Sequence, residues 1–79
     1  MSQGVMEAVQ SEVANANAKW GHVTGRSPYL WATILAEETG EVAKAVHDIE
    51  FGHGTVEELR NELAQVAATA IRWMEDLRG

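Results

Sequence analysis

The chain of 79 residues contains no cysteine, a single proline and only six basic side chains, and each shortage excludes something. Without cysteine, neither a disulfide nor a thiolate zinc site can hold a small fold together. With one proline, long segments run without the residue that breaks helices most strongly. Six bases against twelve acids give a formal charge of -6. That balance argues against a nucleic-acid partner and against an anionic membrane surface. Free nucleotides remain open, because a bound metal inverts the local sign even on an acidic protein. No stretch approaches the roughly 18 apolar residues of a membrane span, and the amino terminus shows no basic segment followed by an apolar one. A cytoplasmic location is therefore expected, with no membrane contact.

The length allows one domain at most, residues 1–79, and a chain this short buries a modest fraction of its surface. The expected fold is all-α, a bundle of about three helices per chain. Lacking disulfides or a structural zinc, such a chain is expected to gain its missing core by oligomerising.

What the sequence does have is helical periodicity. From about Ser2 to Lys19, Val5, Val9, Val13 and Ala16 recur at threes and fours. Asn15 and Asn17 are weak helix formers, so this first helix depends most on a neighbour; no chemistry is read in it. Trp20-Gly21-His22-Val23-Thr24-Gly25-Arg26 breaks the pattern, and Ser27-Pro28 reads as an N-cap followed by proline in the first turn. Trp20 has two readings: it closes the mouth of a pocket and stacks on a nucleobase, or it caps the core of a small domain. The second helix runs from about Pro28 to Ile49. The third begins at Thr55, in the capping box Thr55-Val56-Glu57-Glu58. Along it Val56, Leu59, Leu63, Val66, Ala70, Met74 and Leu77 form the seam of a bundle helix. Ala64, Ala67, Ala68 and Ala70 permit close approach, which with the seam suggests that both sides of this helix are covered.

The second helix carries Leu35-Ala36-Glu37-Glu38-Thr39-Gly40-Glu41-Val42. At about 100° per residue, Trp31, Ile34, Leu35, Val42, Ala45, Val46 and Ile49 share one stripe, and Glu38 falls near its middle. Glu41 projects toward the same point one turn on, and Glu37 lies on the flank. Desolvating an unpaired carboxylate is costly, so such a group ends up paired, protonated or bound to a metal. Pairing does not serve here: the positions four away are Ile34 and Val42, and Lys44 reaches only Glu41. A divalent cation is the remaining solution, and oxygen-only ligands point to Mg²⁺ or Mn²⁺. Gly40 costs about 1 kcal/mol relative to alanine, offset if another backbone or a phosphate comes close. On the third helix Glu62 and Gln65 repeat the three-residue spacing, with Thr69 and Trp73 continuing that side.

Two acids with a third three residues later, then a glutamate with a polar side chain three beyond it, make a recognisable pair of segments. Glu37-Glu38-Thr39-Gly40-Glu41 and Glu62-Leu63-Ala64-Gln65 resemble those of the MazG-like all-α nucleoside triphosphate pyrophosphohydrolases, and the likeness extends over about Trp20 to Leu77. It implies a homo-oligomeric bundle that hydrolyses a nucleoside or deoxynucleoside triphosphate to the monophosphate and pyrophosphate with Mg²⁺. By matching positions, Glu38, Glu41 and Glu62 would be metal ligands with Gln65 beside them. Glu37 and Glu38 would be catalytic, Glu37 orienting or deprotonating the attacking water or completing a second metal site.

The departure is Gln65, where that motif most often has aspartate. An amide oxygen can ligate Mg²⁺ but removes one negative charge, which leaves metal affinity, metal number and catalysis open. Lys44 is the best candidate for a phosphate contact. Lys19 and Arg26, beside the Trp20 loop, and Arg72 are read as surface charges. Trp20 and Trp73 are candidates for stacking on a base, and Trp31 belongs to the core. The alternative function is a non-catalytic helical oligomer that binds a nucleotide or a metal.

Overall fold

In the computed structural model, which describes residues 1–78, three side-chain hydroxyls start three helices. Ser2 Oγ accepts from the Val5 amide at 3.2 Å and opens α1, Gln3–Trp20. Ser27 Oγ accepts from the Tyr29 amide at 3.2 Å and opens α2, Pro28–Glu50, with proline in its first turn. Thr55 Oγ1 accepts from the Glu58 amide at 3.1 Å and opens α3, Val56–Leu77. Each oxygen satisfies one of the amides that a helix start leaves without a partner. The fold is all-α as expected. The one displacement that matters is Trp20, which sits in the last turn of α1 rather than in the loop.

The α2–α3 connection is tight. The His53 and Gly54 amides both donate to the Asp48 carbonyl, at 2.7 and 3.1 Å. A Cβ on Gly54 would lie 2.9 Å from the Asp48 Cβ, so only glycine lets the chain turn back this closely. Gly40, in contrast, faces open space: nothing lies within 4 Å of where its Cβ would be. The close approach that could offset a mid-helix glycine does not occur within this chain.

Helix α3 packs against both α1 and α2, whereas α1 and α2 do not pack against each other. The side of α3 turned inward is its small-residue side, with Ala64, Ala68 and Thr69 buried. Side chains of this size let helix axes come close. On α2 the expected stripe faces the core except at Val46, which is exposed: Trp31 and Ala45 are buried, and Ile34, Leu35, Glu38, Val42 and Ile49 are partly so. The seam of α3 behaves differently. Val56, Leu63, Met74 and Leu77 are each at least half exposed while Leu59, Val66 and Ala70 are partly buried, so one edge of the most regular apolar face in the chain points outward. The alanine side is covered and the outward edge of the seam has no partner within the chain. The radius of gyration, 13.4 Å, exceeds the about 12 Å of a compact domain of this length, in keeping with a thin core. Among the described residues no helix is long and apolar enough to cross a membrane.

The α1–α2 connection is fastened to the far end of α3 by one carboxylate. Asp76 accepts hydrogen bonds from the Gly25 amide, from the Arg26 amide at 3.0 Å and from Trp31 Nε1 at 2.7 Å. The Trp31 bond first, then the two amides and the Arg26 charge, hold this carboxyl below its ordinary value. A depressed carboxyl contributes stability that is present above the unfolded-state value and lost as pH falls through the folded one. Asp76→Asn is therefore expected to lower the melting temperature at neutral pH. The gap to the wild type should close as the solution is acidified through the carboxylate range, and a gap that persists in acid would show that charge is not what Asp76 contributes.

Candidate functional site

Two cross-links fix which helix ends lie together. Arg72 Nε donates to Asn17 Oδ1 at 3.0 Å, and Asp76 holds the Gly25 and Arg26 amides. The last turns of α1 and α3 therefore meet the start of α2. A cleft of about 610 Å³ opens between the three helices, lined by side chains from each. On α1 Glu12 and Lys19 line it, and on α3 Gln65 and Arg72 do; each pair is seven residues, or about 10 Å, apart along its helix. On α2 Glu37 and Glu38 line the cleft well beyond its start, while Arg26 stands just before that start. The cleft thus has an acidic end, with Glu12, Glu37, Glu38 and Gln65, and a basic end, with Lys19, Arg26 and Arg72.

A smaller recess of about 220 Å³ adjoins the acidic end and holds Glu41, Lys44, Asp48, Glu58, Asn61 and Glu62. Gln65 lines both spaces and so forms part of the wall they share. Of the residues expected to act together, Glu37 and Glu38 face the cleft, Glu41 and Glu62 face the recess, and Gln65 touches both.

The electrostatics converge on Glu38. Burial, then the charges of Glu62, Glu41, Glu37 and Glu12, push its carboxyl above the ordinary value. None of the three ion pairs among the described residues involves Glu38 or Glu62. Glu62 Oε2 is buried without a hydrogen-bond partner. A buried carboxylate oxygen with no donor, beside a crowded and partly buried carboxylate, is costly unless a proton or a cation offsets the charge. The donors are hard oxygens, which suit Mg²⁺ or Mn²⁺. As the side chains stand, no three histidine, aspartate or glutamate groups among the described residues close on one ion.

The structure relocates two expected contacts. Lys44 is not in the cleft: it lies in the recess and pairs with Asp48 at 3.0 Å, one turn along its own helix. The hydrogen bond to Asp48 raises its ammonium above the ordinary value, so this charge is already engaged. Trp73 lines neither the cleft nor the recess. It stacks on Trp31 with ring centroids 6.4 Å apart and planes 8° apart, half-buried in the α2–α3 packing. It stands in the packing between α2 and α3, with its Nε1 buried and without a hydrogen-bond partner. Trp20 is 63% exposed and lines the cleft, so it caps no core and stands where a ligand would enter. Trp31, as expected, is fully buried.

Sequence reasoning missed α1. Glu12 and Lys19 bring it into the cleft, and the only available signal was their seven-residue spacing, which puts them on one helix face. Asp76 had no local signal at all, since its partners lie 45 to 51 residues away. Comparison of the chain with protein-family models, with curated proteins and with solved structures finds no match in any of the three.

The crowding at Glu38 has a thermodynamic sign. A carboxyl raised above its unfolded-state value binds its proton more tightly in the folded state, so stability falls as pH rises through that window and stays reduced above it. Glu38→Gln removes the charge and keeps the shape. Its melting temperature in chelator at neutral pH is expected to exceed that of the wild type. Equal or lower stability would mean that Glu38 is compensated by a group in the protein itself.

Proposed function

We propose that the chain is a subunit of a Mg²⁺-dependent hydrolase that cleaves the α–β phosphoanhydride of a nucleoside or deoxynucleoside triphosphate, releasing monophosphate and pyrophosphate. The observation that carries this reading is Glu38. It is half-buried on the inner face of α2, crowded by four carboxylates, without a basic partner, and open to a cleft large enough for a nucleotide. Its likeness to MazG-like enzymes through Glu37, Glu38, Glu41 and Glu62 names the reaction.

Glu38, Glu41, Glu62 and Gln65 would hold the cation, which when bound screens triphosphate charge and makes water more acidic. Glu37, exposed on the cleft wall, is placed to accept the proton of the attacking water. Trp20 at the opening offers a face for a base. Catalysis would take place away from membranes and nucleic acid, in the cytoplasm, a location that the cysteine-free sequence suits.

A second reading has its own support. Gln65 removes a charge at the wall between cleft and recess, and the four expected ligands are divided between those spaces. A module that binds nucleotide or metal without turnover would look like this.

Product chromatography after incubation with each ribo- and deoxyribonucleoside triphosphate decides between the two. The expected result is monophosphate plus pyrophosphate with Mg²⁺ or Mn²⁺ and none with chelator. Glu38→Gln should lower turnover by about 10²- to 10⁴-fold, the usual contribution of a positioned acid–base group. Triphosphate binding without turnover by any of them would favour the module, and Gln65→Asp would then be expected to restore or raise metal binding.

The same proposal includes self-association to a dimer or tetramer through the outward edge of the α3 seam. Leu63, Met74 and Leu77 lie on that seam in solvent, and burying such side chains contributes about 1.5 to 3 kcal/mol each. Light scattering is expected to find an oligomer for the wild type and a monomer for Leu63→Glu. A monomeric wild type at micromolar concentration would remove self-association from the proposal.

A further inference from the structure

The six basic side chains divide into two groups of three. Lys44, Arg60 and Arg78 each pair with an acid on their own helix: Asp48, Glu57 and Glu75. Lys19, Arg26 and Arg72 form no ion pair among the described residues, although the chain has twice as many acids as bases. All three line the same cleft, and all three are at its basic end. Carboxylates are abundant, so the lack of partners reflects where these cations are held.

The structure holds two of them by neutral groups. Arg72 donates to Asn17 Oδ1 at 3.0 Å and to the Gly21 carbonyl at 3.3 Å, which fix the guanidinium without cancelling its charge. Arg26 and Arg72 lie over the Trp31 ring, with their guanidinium carbons 4.4 and 5.7 Å from its centroid. Two cations sharing one indole repel each other, and burial together with the Arg26 charge holds Arg72 below its ordinary value. The nearby carboxylate, Asp76, is occupied by the Gly25 and Arg26 amides and the Trp31 indole. Lys19 has only the Trp20 ring, 5.0 Å away. Apart from the Asp76 charge beside Arg26, these three cations have no carboxylate paired with them.

We propose that Lys19, Arg26 and Arg72 form an anion-binding wall that takes the phosphate chain of the substrate, with Trp20 at its edge. This deepens the hydrolase reading, on which the word substrate rests. The ligand class is a linear polyphosphate ester, since two planar guanidinium forks and one ammonium suit several phosphate oxygens in a row. The acidic end of the cleft, about two helical turns away, would then face the other end of that chain. Lys44, which sequence favours for this role, lies in the other space.

The test uses the full chain and sodium tripolyphosphate, by calorimetry in chelator, so that no cation bridges the anion to the glutamates. The wild type should bind with an affinity that falls as salt is raised. Lys19→Gln and Arg26→Gln should each weaken binding by about tenfold, while Arg78→Gln, whose parent residue pairs with Glu75 and does not line the cleft, leaves it unchanged. Lys19 is exposed, so its variant is expected to fold, and Arg72→Lys should recover part of the affinity that Arg72→Gln loses. No binding by the wild type, or full affinity in both single variants, overturns the wall. Tripolyphosphate binding lost in the variants without triphosphate hydrolysis by the wild type keeps the wall and removes the hydrolase. Hydrolysis with KM unchanged in Lys19→Gln and Arg26→Gln does the reverse.

Discussion

The arrangement depends on the carboxylate of Asp76. A connection of seven residues between α1 and α2 has few ways to be held, because its backbone amides have no helix to bond within. Asp76 takes two of those amides and the Trp31 indole at once. Charge-assisted bonds of this kind are roughly twice as strong as neutral ones. By anchoring Trp31, the same carboxylate fixes the only large side chain that is fully buried, and Arg26 and Arg72 come to rest over that ring. The core and the basic end of the cleft are thus parts of one construction.

The acidic end is built on the opposite principle. Where Asp76 is supplied with donors, Glu62 Oε2 has none, and Glu38 is surrounded by its own kind. The chain therefore keeps one carboxylate fully satisfied for structure and leaves a group of others short of positive charge. Residues that reduce the stability of a fold are most readily understood where chemistry is done. The contrast runs along a single helix, since Glu62 and Asp76 are both on α3.

The parts of this structure that local chemistry controls were legible in the sequence. Ser27-Pro28 and Thr55 mark their helix starts because capping is a short-range interaction. The α2 stripe places Glu38 on the inner face because one helix period is enough to define it. The inward side of α3 was not legible. Its periodic seam and its alanines are both ways to pack a helix, and periodicity identifies a face without saying what covers it; here the alanines face the chain and one edge of the seam faces out. Likewise Lys44 and Trp73 sit on the two helices that carry the acids, yet one is taken by Asp48 and the other by Trp31. Arg26 is held at the cleft by a bond to Asp76 across some fifty residues, and α1, which carries Lys19, is held by the bond between Arg72 and Asn17; spacing encodes neither.

That α1 packs on α3 alone has a consequence for how the site comes together. The α2–α3 pair is joined by a short connection and can form early, since closing a small loop costs little entropy. Helix α1 must find α3 across the whole of α2, and it has no fully buried residue to secure it there. Its amides are therefore expected to open to exchange more readily than those of α2 and α3. Because Glu12, Lys19 and Trp20 ride on it, one wall of the cleft depends on the contacts that α1 makes with α3.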